Sequence, residues 1–196
     1  MTQPDYVHAL ALKEPARADL DEDLQKYFGI CDDKIGFIPN VLRAYSWNQK
    51  KLRWFSRFYN EIMLGESGLS VLEREMIAVV VSSANRCYYC QVAHGAAVRD
   101  YSNDPILGEF MVMNYRSAEL SPRQRAMLDF TWKLTTASHT VVETDRQALR
   151  DAGFADPDIW DICDVVGLFN MTNRVASGVD MMPNREYHAQ ARGPSA

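Results

Sequence analysis

Cys87 and Cys90 stand three apart in the stretch RCYYCQVAHG, residues 86–95, and His94 follows four residues after Cys90. On a helix this spacing puts both sulfurs on one face and the imidazole one turn beyond Cys90. Cα atoms at i and i+3 are about 5 Å apart, within the range a disulfide can bridge. A cysteine in the first helical turn faces unpaired backbone N–H groups and the positive end of the helix dipole, and both favour an anion. That environment lowers a thiol such as Cys87 from about 8.5 toward neutrality, and the thiolate is the nucleophile. His94 adds a group able to accept the Cys90 proton or to stabilise its charge. Such a pair can form a sulfenic acid on one sulfur and resolve it with the other.

Other uses of the same residues are open. A structural zinc site needs four ligands, and the motif offers two sulfurs and one nitrogen locally. His8, His139 and His188 are scattered, no second CxxC exists, and Cys31 or Cys163 could complete a site only through the fold. The cysteines could also be packed as small hydrophobes, which is how we read the isolated Cys31 and Cys163. The histidine in phase, the helix start and an intracellular setting favour the redox reading. Glu75 is a further candidate. Acidic residues are favoured in a first helical turn, which alone would account for it. It is also followed directly by MIAVVV, which would draw it into the core, where a carboxylate becomes a useful base.

The elements that must hold these residues are helices. Residues 47–64 place Leu52, Phe55, Tyr59, Ile62 and Met63 at helical spacing, with Ser46 as cap and Gly65 as stop. Ser70 and Glu73 form a capping-box pattern before MIAVVV. A break at SSANR precedes a helix from about Cys87 to Val98. Ser121, Pro122 and Gln124 open another helix. A short one runs from a Thr144 cap to Gly153, and a longer one begins at Asp156 and Pro157. Alternating β-branched runs are missing, so the fold class is all-α, with seven or eight helices. Tyr88, Tyr89, Trp54 and Trp160 are expected to be packing aromatics, and Arg174 a structural ion-pair partner.

The chain also echoes itself. LSVLEREM at 69–76 and LSPRQRAM at 120–127 share Leu, Ser, Arg and Met in register, which suits a duplicated helical unit. At that offset Ala126 stands opposite Glu75, Ser138 opposite Cys87, Val141 opposite Cys90 and Asp145 opposite His94. The second unit thus keeps the helix signals and lacks all four chemical residues.

With 196 residues, 47% hydrophobic and 24% charged, the chain has the profile of a soluble globular protein able to bury a substantial core. A net charge of −5 argues against a nucleic-acid partner, and NQKKLR at 48–53 reads as the solvated side of a helix. The N-terminus lacks the pattern of a signal peptide, and no apolar run approaches membrane-spanning length. A cytoplasmic setting without membrane association is expected, where a close cysteine pair is more often catalytic or metal-binding than a stable disulfide.

EMIAVVVSSANRCYYCQVAHG, residues 75–95, resembles the signature of the AhpD-like alkylhydroperoxidases within the carboxymuconolactone decarboxylase superfamily. In that signature a glutamate on one helix precedes a CxxC and, four residues on, a histidine at the next. GFIPNVLRAYS at 36–46, LRDAGFADPDIWDI at 149–162 and FNMTNRVASGVDM at 169–181 are similar to the branch called peroxidase-related proteins. The resemblance covers most of the chain from about residue 30. It implies an AhpD-like helical bundle over residues 1–196, with an N-terminal extension (1–30), a redox-motif region (66–100) and a C-terminal tail (182–196). It also implies a hydroperoxide substrate, an external dithiol or thiol-protein reductant, no cofactor or metal, and homo-oligomeric assembly. By matching positions Glu75 is the proton acceptor, Cys87 and Cys90 the redox pair, and His94 the histidine beside them. In the better-studied members the second cysteine attacks the peroxide, which assigns Cys90 as attacker and Cys87 as resolver. Helix-start physics instead favours Cys87 as the more acidic thiol, and the sequence leaves both orders open. Those members also carry a histidine immediately before the second cysteine, where this chain has Tyr89, a poor base with a phenol near 10. A relay would then run from Glu75 through water or the Tyr89 hydroxyl, or use His94 alone. A redox-responsive or zinc-binding interaction protein without turnover, and a lactone decarboxylase-type enzyme on the same fold, are the alternatives.

Overall fold

Met76–Val81 is apolar at every position, and a helix that is hydrophobic all round belongs in the middle of a bundle. In the computed structural model, which describes residues 3–193, all six residues are fully buried. They lie in a helix that packs against five others. Nine α-helices and no strand are found among the described residues: α1 Glu22–Ile35, α2 Asn40–Tyr45, α3 Gln49–Leu64, α4 Val71–Ala84, α5 Tyr88–Ser102, α6 Pro105–Asn114, α7 Pro122–Thr136, α8 Glu143–Asp151 and α9 Asp156–Gly178. The all-α reading holds, with one or two more helices than the sequence pattern gave.

The central helix α4 is surrounded by α3, α5, α6, α7 and α9. The close approach of α5 to α6 needs small residues, because a Cβ on Gly108 would lie 2.5 Å from the Arg99 side chain and 3.1 Å from the Gly95 carbonyl. Three apolar clusters result. The largest joins α4 to α6, α7 and α9. A second is built from Leu20, Leu24, Phe28, Leu42, Leu52 and Phe55, so residues assigned to an extension supply most of α1 and part of a core. The third gathers Cys87, Tyr89, Cys90 and Ala93 of the redox motif with Ala44, Ala176 and Met181. Residues 1–2 and 194–196 of the expected extension and tail lie outside the described residues.

Both capping boxes form. Ser70 Oγ accepts the Glu73 N–H while Glu73 accepts the Ser70 N–H, and Ser121 and Gln124 repeat the exchange. Other helix starts differ from the sequence reading. Asn48, not Ser46, caps α3 by accepting the Lys51 N–H, and Ser46 instead closes α2. Helix α8 begins at Glu143, and the Asp145 carboxylate, not Thr144, takes the free N–H of Val142. Trp54 (64% exposed), Trp160 (71%) and Tyr88 (49%) are not packing aromatics; of the four, only Tyr89 is buried. Arg174 is exposed and bonds the carbonyl and side chain of Asn170 on its own helix, and it has no carboxylate partner among the described residues.

Candidate active site

The turn between α4 and α5 fixes where the sulfurs sit. Helix α4 ends at Asn85 in a Schellman pattern, with the Cys87 N–H bonded to the Ser82 carbonyl and the Arg86 N–H to the Ser83 carbonyl. Arg86 occupies the left-handed position, φ 55°, where glycine is usual and a side chain costs about 1–2 kcal/mol. The turn is so short that Cys87 is also the N-cap of α5. Cys87 and Cys90 are therefore N-cap and N3, one position earlier than the sequence reading placed them. Helix α9 ends likewise, with Asp180 at φ 50° and Met181 N–H on the Ala176 carbonyl. Two non-glycine left-handed residues thus flank the same cluster, and such strain concentrates at functional sites.

Cys87 and Cys90 are 1% and 3% exposed, and all four cysteines are free thiols. Within the pair the two sulfurs are inequivalent. Cys87 is lowered to about 7, chiefly by hydrogen bonding from the Cys90 thiol. Burial opposes the shift, while the Cys90 backbone N–H, the Ser177 hydroxyl and the charge of His94 support it. Cys90 is pushed well up, first because its proton is held toward the Cys87 sulfur and then by burial. Hydrogen bonding from Asn173 and Ser82 pulls Cys90 the other way. The first proton of the pair therefore leaves Cys87, as a helix start favours.

Glu75 and His94 meet across the α4–α5 packing. His94 Nδ1 lies 2.7 Å from Glu75 Oε2, and Glu75 is only 5% exposed. Burial of Glu75 is thus real, and Glu73 alone serves the cap. With Glu75 ionised, Nδ1 donates to the carboxylate and Nε2 is left as the basic nitrogen. Phe169 packs edge-on against the imidazole, ring centroids 4.5 Å apart, and fixes its plane. The Tyr89 hydroxyl accepts the Val41 N–H at 3.0 Å, tying α5 to α2, and burial raises this phenol well above its ordinary value.

Cys90, Tyr89, His94 and Glu75 share the wall of a cavity of about 560 Å³, and Cys87 is not part of that wall. The four residues matched to the signature are therefore brought together, with Tyr89 beside them. Among the described residues no three His, Cys, Asp or Glu side chains cluster in a way that could hold a metal ion.

Sequence reasoning missed the polar residues behind the sulfurs. Asn173 Nδ2 donates to Ser82 Oγ at 3.0 Å, and Asn85 donates to Asn173 Oδ1 at 2.9 Å. Ser82 and Asn173 are buried. A signal was available: Asn173 stands in the buried stripe Ile162, Val165, Phe169, Thr172, Ala176 of α9, where an amide must find partners.

The model of the carboxymuconolactone decarboxylase family matches residues 50–105, which span α3 to the start of α6. A search of curated proteins finds no match. A crystal structure described as an uncharacterized peroxidase-related protein from Silicibacter sp. TM1040 is 60% identical, covers 98% of this chain and 100% of its own, and superposes with a TM-score of 0.93. A second, from Ralstonia eutropha JMP134 and described as an alkylhydroperoxidase AhpD core, is 40% identical over the same shares, also at 0.93. The debrominase Bmp8, solved as a cysteine-to-alanine variant with 2,3,4-tribromopyrrole, shares the fold at a TM-score of 0.78 with 16% identity over 92% of this chain and 95% of its own. The chain belongs to the AhpD-like, peroxidase-related branch of the carboxymuconolactone decarboxylase superfamily.

Proposed function

We propose that the protein is a thiol-dependent peroxidase and disulfide oxidoreductase in which Cys90 attacks the hydroperoxide and Cys87 resolves it. The observation that carries this reading is the common cavity wall of Cys90, His94 and Glu75, which Cys87 does not join. Acidity and access point to different sulfurs, and the two roles reconcile them. Access selects the attacker, because a peroxide in the cavity meets Cys90. Acidity suits the resolver, which must be a thiolate when its turn comes.

In this mechanism the Cys90 proton passes to Nε2 of His94, whose imidazolium is stabilised by Glu75. The Cys90 sulfur attacks the distal peroxide oxygen, the O–O bond breaks, and the departing alkoxide takes the proton from His94 to leave as alcohol. Cys90 is now a sulfenic acid. The Cys87 thiolate attacks its sulfur, hydroxide leaves and takes up from solvent the proton that Cys87 had released, giving water, and the Cys87–Cys90 disulfide is formed. An external dithiol restores both thiols and becomes a disulfide itself. One peroxide and two thiol hydrogens thus give alcohol, water and one disulfide. Tyr89 is a positioning residue here, since its hydroxyl already holds the α2 backbone and its phenol is harder to ionise than usual.

No helix among the described residues is long and apolar enough to cross a membrane. A cytoplasmic location, where reductant is plentiful, and homo-oligomeric assembly belong to the same proposal. The test is mass spectrometry after stoichiometric peroxide. Loss of two hydrogens, mapped to Cys87 and Cys90, is expected, and sustained peroxide consumption should follow when a dithiol is supplied. Disulfide formation without turnover would favour a redox-responsive interaction protein instead.

A further inference from the structure

Helix α5 lines two cavities with two faces. Cys90, Ala93, His94 and Ala97 belong to the cavity already described, whereas Tyr88, Gln91, Val92 and Arg99 line a separate pocket of about 330 Å³. Spacings of three, four and seven put the second set on one face of the helix, roughly opposite the first. Helix α6 adds Glu109 and Val112 to this pocket, and the chain around the 3-10 turn Arg185–His188 adds Tyr187, His188 and Arg192. Its charge is unlike that of the whole chain. The protein carries a net −5, yet this wall sets Arg86, Arg99 and Arg192 against the single carboxylate of Glu109. Arg192 takes Glu109 at 2.7 Å, so among the described residues Arg86 and Arg99 are left with no carboxylate.

Arg86 is exposed and keeps its water, but Arg99 is only 3% exposed. A buried charge is costly unless it is paired. Arg99 Nε donates to the Gln190 carbonyl at 3.0 Å and Nη2 to the Tyr187 carbonyl at 2.8 Å, both neutral acceptors. Its third nitrogen, Nη1, has no protein acceptor among the described residues. Nη1 lies near Gly95, where an added Cβ would stand 3.8 Å from it, on the α5 face that carries Gln91 and Val92. Burial and the charge of Arg192 together hold the Arg99 guanidinium below its usual value, and Glu109 offsets them only in part. The helix packing thus encloses a guanidinium with one donor unspent, in a pocket that holds two further arginines.

We propose that this pocket binds the oxyanion group, phosphate or carboxylate, of a small organic molecule, with Arg99 as its anchor and Arg86 and Arg192 at the rim. A guanidinium fits either group, and a charge-assisted bond to the anion gives Nη1 the acceptor that the protein does not. The volume is at the lower end of the range for small-ligand sites, and Tyr88, Val92 and Val112 offer an apolar side for the organic part. Glu109 is a built-in competitor, because it occupies Arg192 and repels an anion. The site does not depend on the chemistry at Cys90, although Tyr187 lines both cavities.

The test is isothermal titration calorimetry of the full chain at constant ionic strength, with inorganic phosphate and with succinate as probes. At least one should bind one-to-one with a Kd below about 1 mM, and the tighter of the two tells phosphate from carboxylate. Arg99→Gln should weaken that binding at least about tenfold, the loss of one charge-assisted bond. Arg86→Ala should weaken it about threefold, and Glu109→Gln should tighten it about threefold, a gain that no misfolding can produce. Arg57→Ala removes an exposed arginine of α3 outside the pocket and should change nothing. No binding of either probe tighter than about 1 mM would overturn the proposal. Equal weakening by Arg57→Ala and Arg86→Ala would also overturn it, since the attraction would then be diffuse. If Arg99→Gln does not fold, the two rim variants decide, and unchanged binding in both overturns the site.

Discussion

Two helix pairs in this molecule begin alike and end differently. Helix α4 opens with the Ser70–Glu73 capping box and α7 with the Ser121–Gln124 box, and the two helices pack against each other. After α4 a single tight turn launches α5, fifteen residues long, with Cys87 as its cap. After α7 come a 3-10 turn at Ser138–Thr140 and the nine-residue α8. The echo therefore holds for the first helix of each unit and stops there. Where α4 presents Glu75 to His94, α7 has Ala126 at the corresponding position. Asp145, opposite His94, spends its carboxylate on Lys133 and on the Val142 N–H. Capping signals and an apolar helix are enough to build a packed pair. The redox-motif pair has in addition a short turn that makes a cysteine the N-cap, and a carboxylate from the neighbouring helix held against its histidine.

That contrast can be broken first at Glu75. Glu75→Gln keeps the shape of the side chain but removes the charge that stabilises protonated His94, so peroxide turnover should fall by about 10²-fold, while Gln124→Ala in the other unit should leave turnover unchanged. Steady-state assays of both variants decide this, and equal effects would erase the distinction between the units.

A second test uses the inequivalence of the sulfurs. Alkylation of Cys87 by iodoacetamide should show a midpoint near pH 7. In Cys90→Ala the largest lowering influence is gone, so the midpoint should rise toward the ordinary value of about 8.5. The sign for stability follows. Because folding lowers the Cys87 thiol from its ordinary value to about 7, its contribution is complete above the unfolded value and is lost as pH falls through about 7. The smallest effect should come from the shared feature: Ser70→Ala and Ser121→Ala should each lose about 1 kcal/mol in urea unfolding, since the two caps are equivalent.

Much of this site was legible in the sequence because it is local. The CxxC and the histidine share one helix face, and Ser70, Glu73 and Gly65 punctuate the chain around α4. The burial of Glu75 also followed from its neighbours, Met76 to Val81. What escaped was set by contacts between distant segments. Asn173 and Ser177 reach the sulfurs only because α9 crosses the start of α5. The cavity takes its wall from α1 and α3 as well as α5, a meeting that no local pattern encodes. The choice of Asn48 over Ser46 as a cap depends on where α2 ends, at Tyr45. Trp54 and Trp160 are exposed against expectation because aromatic bulk predicts burial only on average.

The central claim is that Cys90 attacks and Cys87 resolves. The direct measurement is trapping of sulfenic acid with dimedone, followed by peptide mass spectrometry, in Cys87→Ser and Cys90→Ser treated with one equivalent of hydroperoxide. The account predicts a dimedone adduct on Cys90 in the first variant and none on Cys87 in the second. An adduct on Cys87 in Cys90→Ser, with none on Cys90 in Cys87→Ser, would contradict it.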